Sequence, residues 1–512
     1  MATVNKPIIA LLLMLALPSV FPQESDAGGY QSGVDSIYVI SSIDFDITGR
    51  TRPYAALYNG EFREGEEIQG QENLEKYIRD KTQLLLNERV LETVWIDYVT
   101  GQAREDGKIP VHLTVNIKDT WNFIIIPIPR YSSNTGLELI LRYRDYNFLG
   151  SMNPLPVNVG YRYDQNRHHS GFFELESELP FGAFGYHWTF KFEVFFDYRP
   201  AVEEPFYFRN NTGIFMEVPV KNTTVTFGFD ESFILNEENT ERDKVLYDDL
   251  QSGFYMATQP YVSWKIPTGI VIGEYGDLVY TPELLTTFNH EFPKWPLDEN
   301  LKGPFMTFRH TLGFDRVDWI RNHRKGFDVS LENSYTYDFF RMSREKEALS
   351  IDYSVSGKGY FIISEIFGIS AFLQYRQWFY HEPDYFYSAG DALRGILDND
   401  LHADYMLSLN LDFPFRVLYF SPANWFNRPK LRGADIDFHL YPILDLALYH
   451  DPSTNTSFDF KNILVTGGFE FVVFPLAMRS VYIRFSFGWN LVEQANIPLG
   501  SREIFIGLFH HY

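Results

Sequence analysis

Few residues in this 512-residue chain have the types and spacing that chemistry requires. His168–His169 and His510–His511 are adjacent imidazole pairs, and imidazole is a common metal ligand. Neighbouring residues on a strand point to opposite faces, so neither pair forms a chelating site by itself. Carboxylates are plentiful, but those from Glu237 to Asp249 read as a solvated loop rather than as a pair at fixed separation. There is no Gly-x-Ser-x-Gly, no phosphate loop and no His-Glu-x-x-His. Cysteine is absent, which excludes disulfides, thiolate metal sites and lipoprotein anchoring. The chain is therefore expected not to be an enzyme, and to use no cofactor and no metal. One residue still asks for a chemical account: Arg394, in the late-loop sequence Leu393-Arg394-Gly395-Ile396.

The elements around that arginine read as strands. Val481 to Val492 and Asp459 to Pro475 place apolar or aromatic residues at alternate positions, with small or polar residues between some of them. This is the lipid-out, lumen-in period of a membrane barrel strand. Similar segments recur at Leu155–Asp164, His187–Tyr198, Asn222–Phe233, Gly303–Phe314, Phe327–Asp338, Phe367–Tyr380 and His402–Phe413. Short turns alternate with long polar loops such as Asn236–Ser252. The alternation predicts an all-β transmembrane antiparallel barrel over residues 121–512.

Composition fits that reading. The chain is 45% hydrophobic and 17% aromatic, yet beyond its first residues it has no apolar run of the roughly 18 residues a spanning helix needs. A mean hydropathy of -0.21 would ordinarily suggest a soluble protein, but in a barrel every second residue faces water. A large soluble β-sandwich or propeller could also supply alternation and aromatics. The formal net charge of -23 argues against nucleic acid as a partner.

At the N-terminus, Lys6 precedes an apolar run from Pro7 to Phe21, and Ser25 with Ala27 offers the small residues a signal peptidase reads. Residues 1–27 are thus expected to be a signal peptide, with the mature chain beginning near Gly28. A different texture follows. Ile37, Val39, Ile43, Phe45 and Ile47 fall on a strand, then comes a loop rich in Gly and Glu. Leu74, Tyr77, Ile78 and Leu85 take helical spacing. Val94, Ile96 and Tyr98, then Ile109 to Ile117, form a hairpin about the turn Gly101–Lys108. Strand, helix, strand, strand makes a small α+β domain over residues 35–119.

That order resembles a polypeptide-transport-associated (POTRA) domain, and one such domain before a barrel resembles the superfamily of BamA, TamA and the two-partner secretion transporters. Asp145-Tyr146-Asn147-Phe148-Leu149-Gly150 is similar to the Asn-aromatic-Leu-Gly turn closing the family's first barrel hairpin. Gly313 to Ser330 resembles its strand, Asp and Arg, turn, Gly, strand passage. Ala389-Gly390-Asp391-Ala392-Leu393-Arg394-Gly395-Ile396 resembles the Gly-Gly-x-x-Val-Arg-Gly-aromatic motif of the loop that folds into the lumen, departing at Ala389, Leu393 and Ile396. Tyr441 to Ala447 is similar to the later strand motif aromatic-x-Asp-x-Gly, with Ile443, Asp445 and Ala447 in its final three marked positions. These three share one strand face, so Asp445 can point inward toward Arg394. A guanidinium in a narrow lumen needs such an acceptor, since its desolvation would cost several kcal/mol. Phe505 to Tyr512 resembles the terminal strand by which barrels are recognised for assembly, with Phe505, Gly507 and the final aromatic Tyr512 in place.

The resemblance implies 16 strands, with both barrel ends in the periplasm of a bacterium and the POTRA-like domain beside them. The sequence pattern divides Trp121–Tyr380 into about thirteen strand-like pieces and the remainder after Arg394 into roughly five. Sixteen would leave eleven for the first stretch, so some pieces between Glu203 and Phe292 are expected to be extracellular hairpins or split pairs. In function, the resemblance implies handling of polypeptides at the outer membrane, either insertion and assembly of other barrels or protein translocation. Its partners would be outer-membrane lipids and unfolded outer-membrane or secreted polypeptides, the latter held at the open sheet edge of the POTRA-like domain. The alternative is a passive pore or a surface-exposed structural protein, a surface antigen in effect, that moves no polypeptide.

Overall fold

The two textures of the sequence separate into an N-terminal α+β domain and a closed barrel. The computed structural model describes residues 36–510 apart from 165–167, 202–204, 236–252, 273–275, 298–300, 380–386, 398–399, 429, 431–433, 452–453, 455, 478–480, 494–496 and 498. The expected signal peptide, the loop Asn236–Ser252, His511 and the terminal Tyr512 lie outside the described residues.

The domain runs β1 (Ile37–Thr48), α1 (Pro53–Asn59), β2 (Glu67–Gln69), α2 (Gln71–Asn87), β3 (Leu91–Thr100) and β4 (Ile109–Asp119). The segment read from sequence as a loop thus also holds α1 and β2. The sheet order is β2-β1-β4-β3, with β1 and β4 parallel and the outer pairs antiparallel. Leu74 and Leu85 of α2 are fully buried in one core with Ile40, Val111, Leu113, Val115 and Ile117 of the sheet. Each such side chain contributes about 1.5–3 kcal/mol relative to exposure. Pro53 starts α1 where its missing N–H costs nothing.

The barrel strands are β5 (Phe123–Ser132), β6 (Gly136–Asp145), β7 (Leu155–Tyr163), β8 (His169–Ala183), β9 (Tyr186–Tyr198), β10 (Phe206–Val220), β11 (Thr223–Leu235), β12 (Phe254–Val271) and β13 (Asp277–His290). They continue as β14 (Phe305–Ile320), β15 (His323–Asp338), β16 (Leu349–Ser364), β17 (Phe367–Phe379), β18 (Tyr405–Asp412, resuming as Phe415–Phe420), β19 (Ile436–His450), β20 (Leu464–Pro475), β21 (Val481–Asn490) and β22 (Arg502–His510). Each pairs antiparallel with the next, and β22 returns to β5. On β6, Leu137, Leu139 and Leu141 face outward while Glu138, Ile140, Arg142 and Arg144 are buried inside. Outward apolar and inward polar residues are what a membrane-spanning barrel requires. Among the described residues no helix is long and apolar enough to cross a membrane.

The closed sheet has 18 strands rather than the expected 16. The thirteen pieces read before the Arg394 loop are thirteen strands, β5 to β17, and five follow it. Segments β10 to β13, which a count of 16 would have set aside as hairpins, are paired along most of their length and belong to the wall. Inward Asn211, Asp230 and Gln259 are polar, while outward Ile214, Phe227, Phe229 and Trp264 are apolar and exposed, as wall strands of a membrane barrel require. The even number still puts both barrel ends on the side of the N-terminal domain, here called the domain end.

The domain lies across that end and touches the rim at separate points. Asp119 accepts hydrogen bonds from Arg50 N, Thr51 N, Thr51 Oγ1 and Asn147 Nδ2, and Arg50 pairs with Asp145 at 2.9 Å. Gly150 has φ +76°, and a Cβ there would stand 2.1 Å from Arg50 O. The Asp145–Gly150 turn therefore joins β6 to β7 and seats the domain, rather than closing the first hairpin β5–β6 as expected. On the opposite side Asn87 bonds Asp318, and Arg89 lies over the Trp319 ring at 4.3 Å and donates to Arg321 O. Between these, Tyr54 and Tyr58 of α1 hold His187, with the Tyr58 ring stacked 3.8 Å from it. Burial pushes the nearby Glu88 carboxyl up to about 7. Thr120 Oγ1 donates to Ala477 O between β20 and β21.

Candidate functional site: the lumen loop and the barrel seam

Between β17 and β18 the chain enters the lumen from the far end. Tyr387–Ser388 pairs with His402–Ala403, and a short turn at Gly390–Ala392 sets up Leu393. Ala389, Leu393, Ile396 and Leu401 are buried with Met406, Ala447, Tyr449 and Leu464 of the wall. Ile396, where the resembled motif has an aromatic ring, is fully buried in this apolar cluster.

Leu393 and Ile396 fix the loop by burial, and Arg394 between them fixes it by charge. Arg394 Nε and Nη2 donate to the two oxygens of Asp445 at 3.0 and 2.5 Å, and its backbone N–H donates to Asp445 Oδ2 at 2.9 Å. Nη1 donates to Asp412 at 2.5 Å and reaches Glu470 at 3.5 Å. Glu470 also accepts from Ser486 Oγ and pairs with Arg484. Asp445 is only 1% exposed, so its charge is tenable there because this bidentate partner meets it. The acceptors come from β18, β19 and β20, so one side chain clasps three strands. Asn410 adds a bond to Ala392 O.

The loop backbone lies directly on β21. Gly395 has φ +104°, and a Cβ there would come within 2.5 Å of Trp489 N. A Cβ on Gly488 would meet Arg394 C at 2.7 Å. Both positions therefore need glycine. Asp412, Glu470, Arg484 and Gly488 are site residues that the sequence reading missed; their only signal was a polar or small residue on the inward parity of strands after the loop. Gly326, the glycine after the turn in the Gly313–Ser330 passage, stands inside β15 with φ +127°, against Arg316 O, and Arg321 has φ +59° in the turn itself. Arg316 pairs with Asp318 and with Asp80 of the domain.

The terminal strand closes the barrel weakly. β22 and β5 share two register positions, Phe505 with Ser132 and Ile506 with Tyr131, against nine for β21–β22 and ten for β5–β6. Beyond them Ser133 N donates to Ile504 O and Ser133 Oγ accepts from Ile504 N. Toward the domain end β5 carries Pro127 and Pro129, in register with Leu141 and Leu139 of β6. Two prolines of one parity fit a ladder with β6 only if their nitrogens face the other side, toward β22. That side therefore lacks two donors where the ladder would continue. Gly507 leaves room for the Phe505 ring, over which Arg130 lies at 5.3 Å.

His168 and His169 stay apart from this site, whereas His510 ends β22 and His511 lies outside the described residues. His169 meets Tyr161 and Tyr163, and His168 stands 3.7 Å from Asp164. Among the described residues no group of three or more His, Asp or Glu is arranged to hold a metal.

No family model matches the chain, and no curated protein matches it. Among solved structures it is similar to BamA from Haemophilus ducreyi lacking POTRA domains 1–3, at 14% identity and a TM-score of 0.41, over 92% of this chain and 85% of that one. It is also similar to CdiB from Acinetobacter baumannii, at 13% identity and a TM-score of 0.46, over 93% of this chain and 74% of that one. CdiB from Escherichia coli is similar at 9% identity and a TM-score of 0.42, over 96% and 93%.

Proposed function

We propose that this protein is an outer-membrane barrel, with its N-terminal domain in the periplasm, that assists insertion of other polypeptides into the membrane through the β22–β5 seam. The observation that carries this reading is the two-position seam, with Pro127 and Pro129 on its open side. An unpaired strand edge in contact with lipid is a template for an incoming strand, because its backbone groups have no other partner there. The axial route is less favourable for a polypeptide: the domain lies over the near mouth, and the Arg394 loop is clasped inside the lumen. Export through the lumen would require both to move.

The N-terminal domain supports the same reading. Its strand order suits a POTRA domain, and the outer edge of β3 has no strand beside it among the described residues. An extended client could add to that edge before reaching the seam, with backbone bonds giving affinity and little sequence demand. The partners are then outer-membrane lipids and unfolded outer-membrane polypeptides. The test is depletion of the protein in its own bacterium, followed by a quantitative census of outer-membrane and secreted proteins. Loss of integral barrels is the expected result. Loss confined to a secreted protein would favour export, and an unchanged profile would leave the passive pore or surface protein as the reading.

A further inference from the structure

Glu503 stands where the lumen loop and the seam meet. It lies on β22, one residue before the stretch that touches β5. Its Oε2 accepts from the Gly395 N–H at 3.0 Å, and its Oε1 accepts from Asn134 Nδ2 at 3.3 Å. Gly395 follows the clasped Arg394, and Asn134 sits in the turn from β5 to β6. One carboxylate therefore spans the seam and ties it to the loop. The rest of the closure is adjacent: Ser133 with Ile504, Ser132 with Phe505 and Tyr131 with Ile506. The backbone contacts that join β22 to β5 among the described residues thus lie beside Glu503, the β22 residue that bonds the loop.

The geometry lets the loop's position reach the seam without slack. Arg394 is fixed to β18, β19 and β20 by three carboxylates, and the next residue packs backbone to backbone on Gly488 of β21. Its N–H then aims at Glu503. A carboxylate that accepts two N–H groups is held in one orientation more firmly than one that accepts a single neutral bond. We propose that Glu503 is a positioning residue that couples the lumen loop to the seam: with the loop seated, it is held where it receives Asn134, and withdrawal of the loop releases a tie across β22 and β5. This deepens the seam reading given above, but concerns the barrel alone.

Because the chain has no cysteine, Tyr131→Cys with Ile506→Cys introduces a unique pair at register partners. The rate of disulfide formation in full-length protein reconstituted in liposomes reads seam closure directly. Glu503→Ala is expected to slow trapping several-fold. Arg394→Ala, which frees the loop, should slow it similarly, and the two together should slow it no more than either alone. Glu503→Gln, which keeps one acceptor oxygen, should fall between Ala and the parent. Heat-modifiable electrophoretic mobility verifies that each variant is a folded barrel, and Glu503→Gln carries the test if Glu503→Ala is not. An unchanged rate in Arg394→Ala, or effects of the two residues that multiply, would overturn the coupling. Normal coupling in a protein whose depletion leaves the outer membrane unaltered would sink the insertion reading and leave this one standing.

Discussion

Arg394 shows how much a single side chain can organise inside a barrel. Its guanidinium makes four hydrogen bonds, to Asp445, Asp412 and Glu470, and the fork geometry suits Asp445 in a way lysine could not reproduce. Removing it would strand a nearly inaccessible carboxylate, a loss of about 3–5 kcal/mol if the site stays dry and less if water enters. Arg394→Ala is accordingly expected to lower the thermal unfolding midpoint of the purified barrel more than Arg394→Ala with Asp445→Ala does relative to the sum of the single changes. Strict additivity in that cycle would mean that the two residues do not share an interaction. The pair was legible from sequence because a motif named Arg394 and strand parity turned Asp445 inward. Asp412, Glu470 and Glu503 were not, since an inward acidic residue on a barrel strand looks the same whether it faces water or a guanidinium.

At the level of elements, the strands were legible where lipid and lumen impose opposite demands on alternate residues. The thirteen pieces before the loop and five after it were present in that alternation; the count failed only when it was adjusted to 16 by resemblance. What alternation cannot supply is how well two strands pair, because that depends on backbone groups rather than on side-chain polarity. Pro127 and Pro129 are the exception, visible in sequence and interpretable once β5 is known to close the barrel. Their nitrogens deny β22 two donors, and each ladder bond is worth about 0.5–1.5 kcal/mol net in water. Replacing both with valine should let the β5–β22 ladder grow toward the domain end. Hydrogen exchange of amides in β22 from Gly507 onward would then slow, and client insertion by reconstituted protein would fall. Unchanged exchange would show that the prolines do not limit the seam.

Across the whole molecule, the domain lies over one end of the lumen and the loop enters from the other, while the seam runs along the side with two register positions. The domain grips the rim through Asp119 with Asn147, Tyr58 with His187 and Arg89 with Trp319, so the near mouth is covered from several directions. The loop clasps three strands through Arg394 and touches the seam through Glu503. On the proposed reading, the weakly joined side of the barrel delivers strands to the membrane. The most direct measurement is insertion of a radiolabelled outer-membrane barrel into liposomes containing the Tyr131→Cys, Ile506→Cys protein, with the disulfide formed and then reduced in the same sample. Insertion should stop when the seam is locked and return on reduction; insertion that proceeds at the same rate through a locked seam would contradict the account.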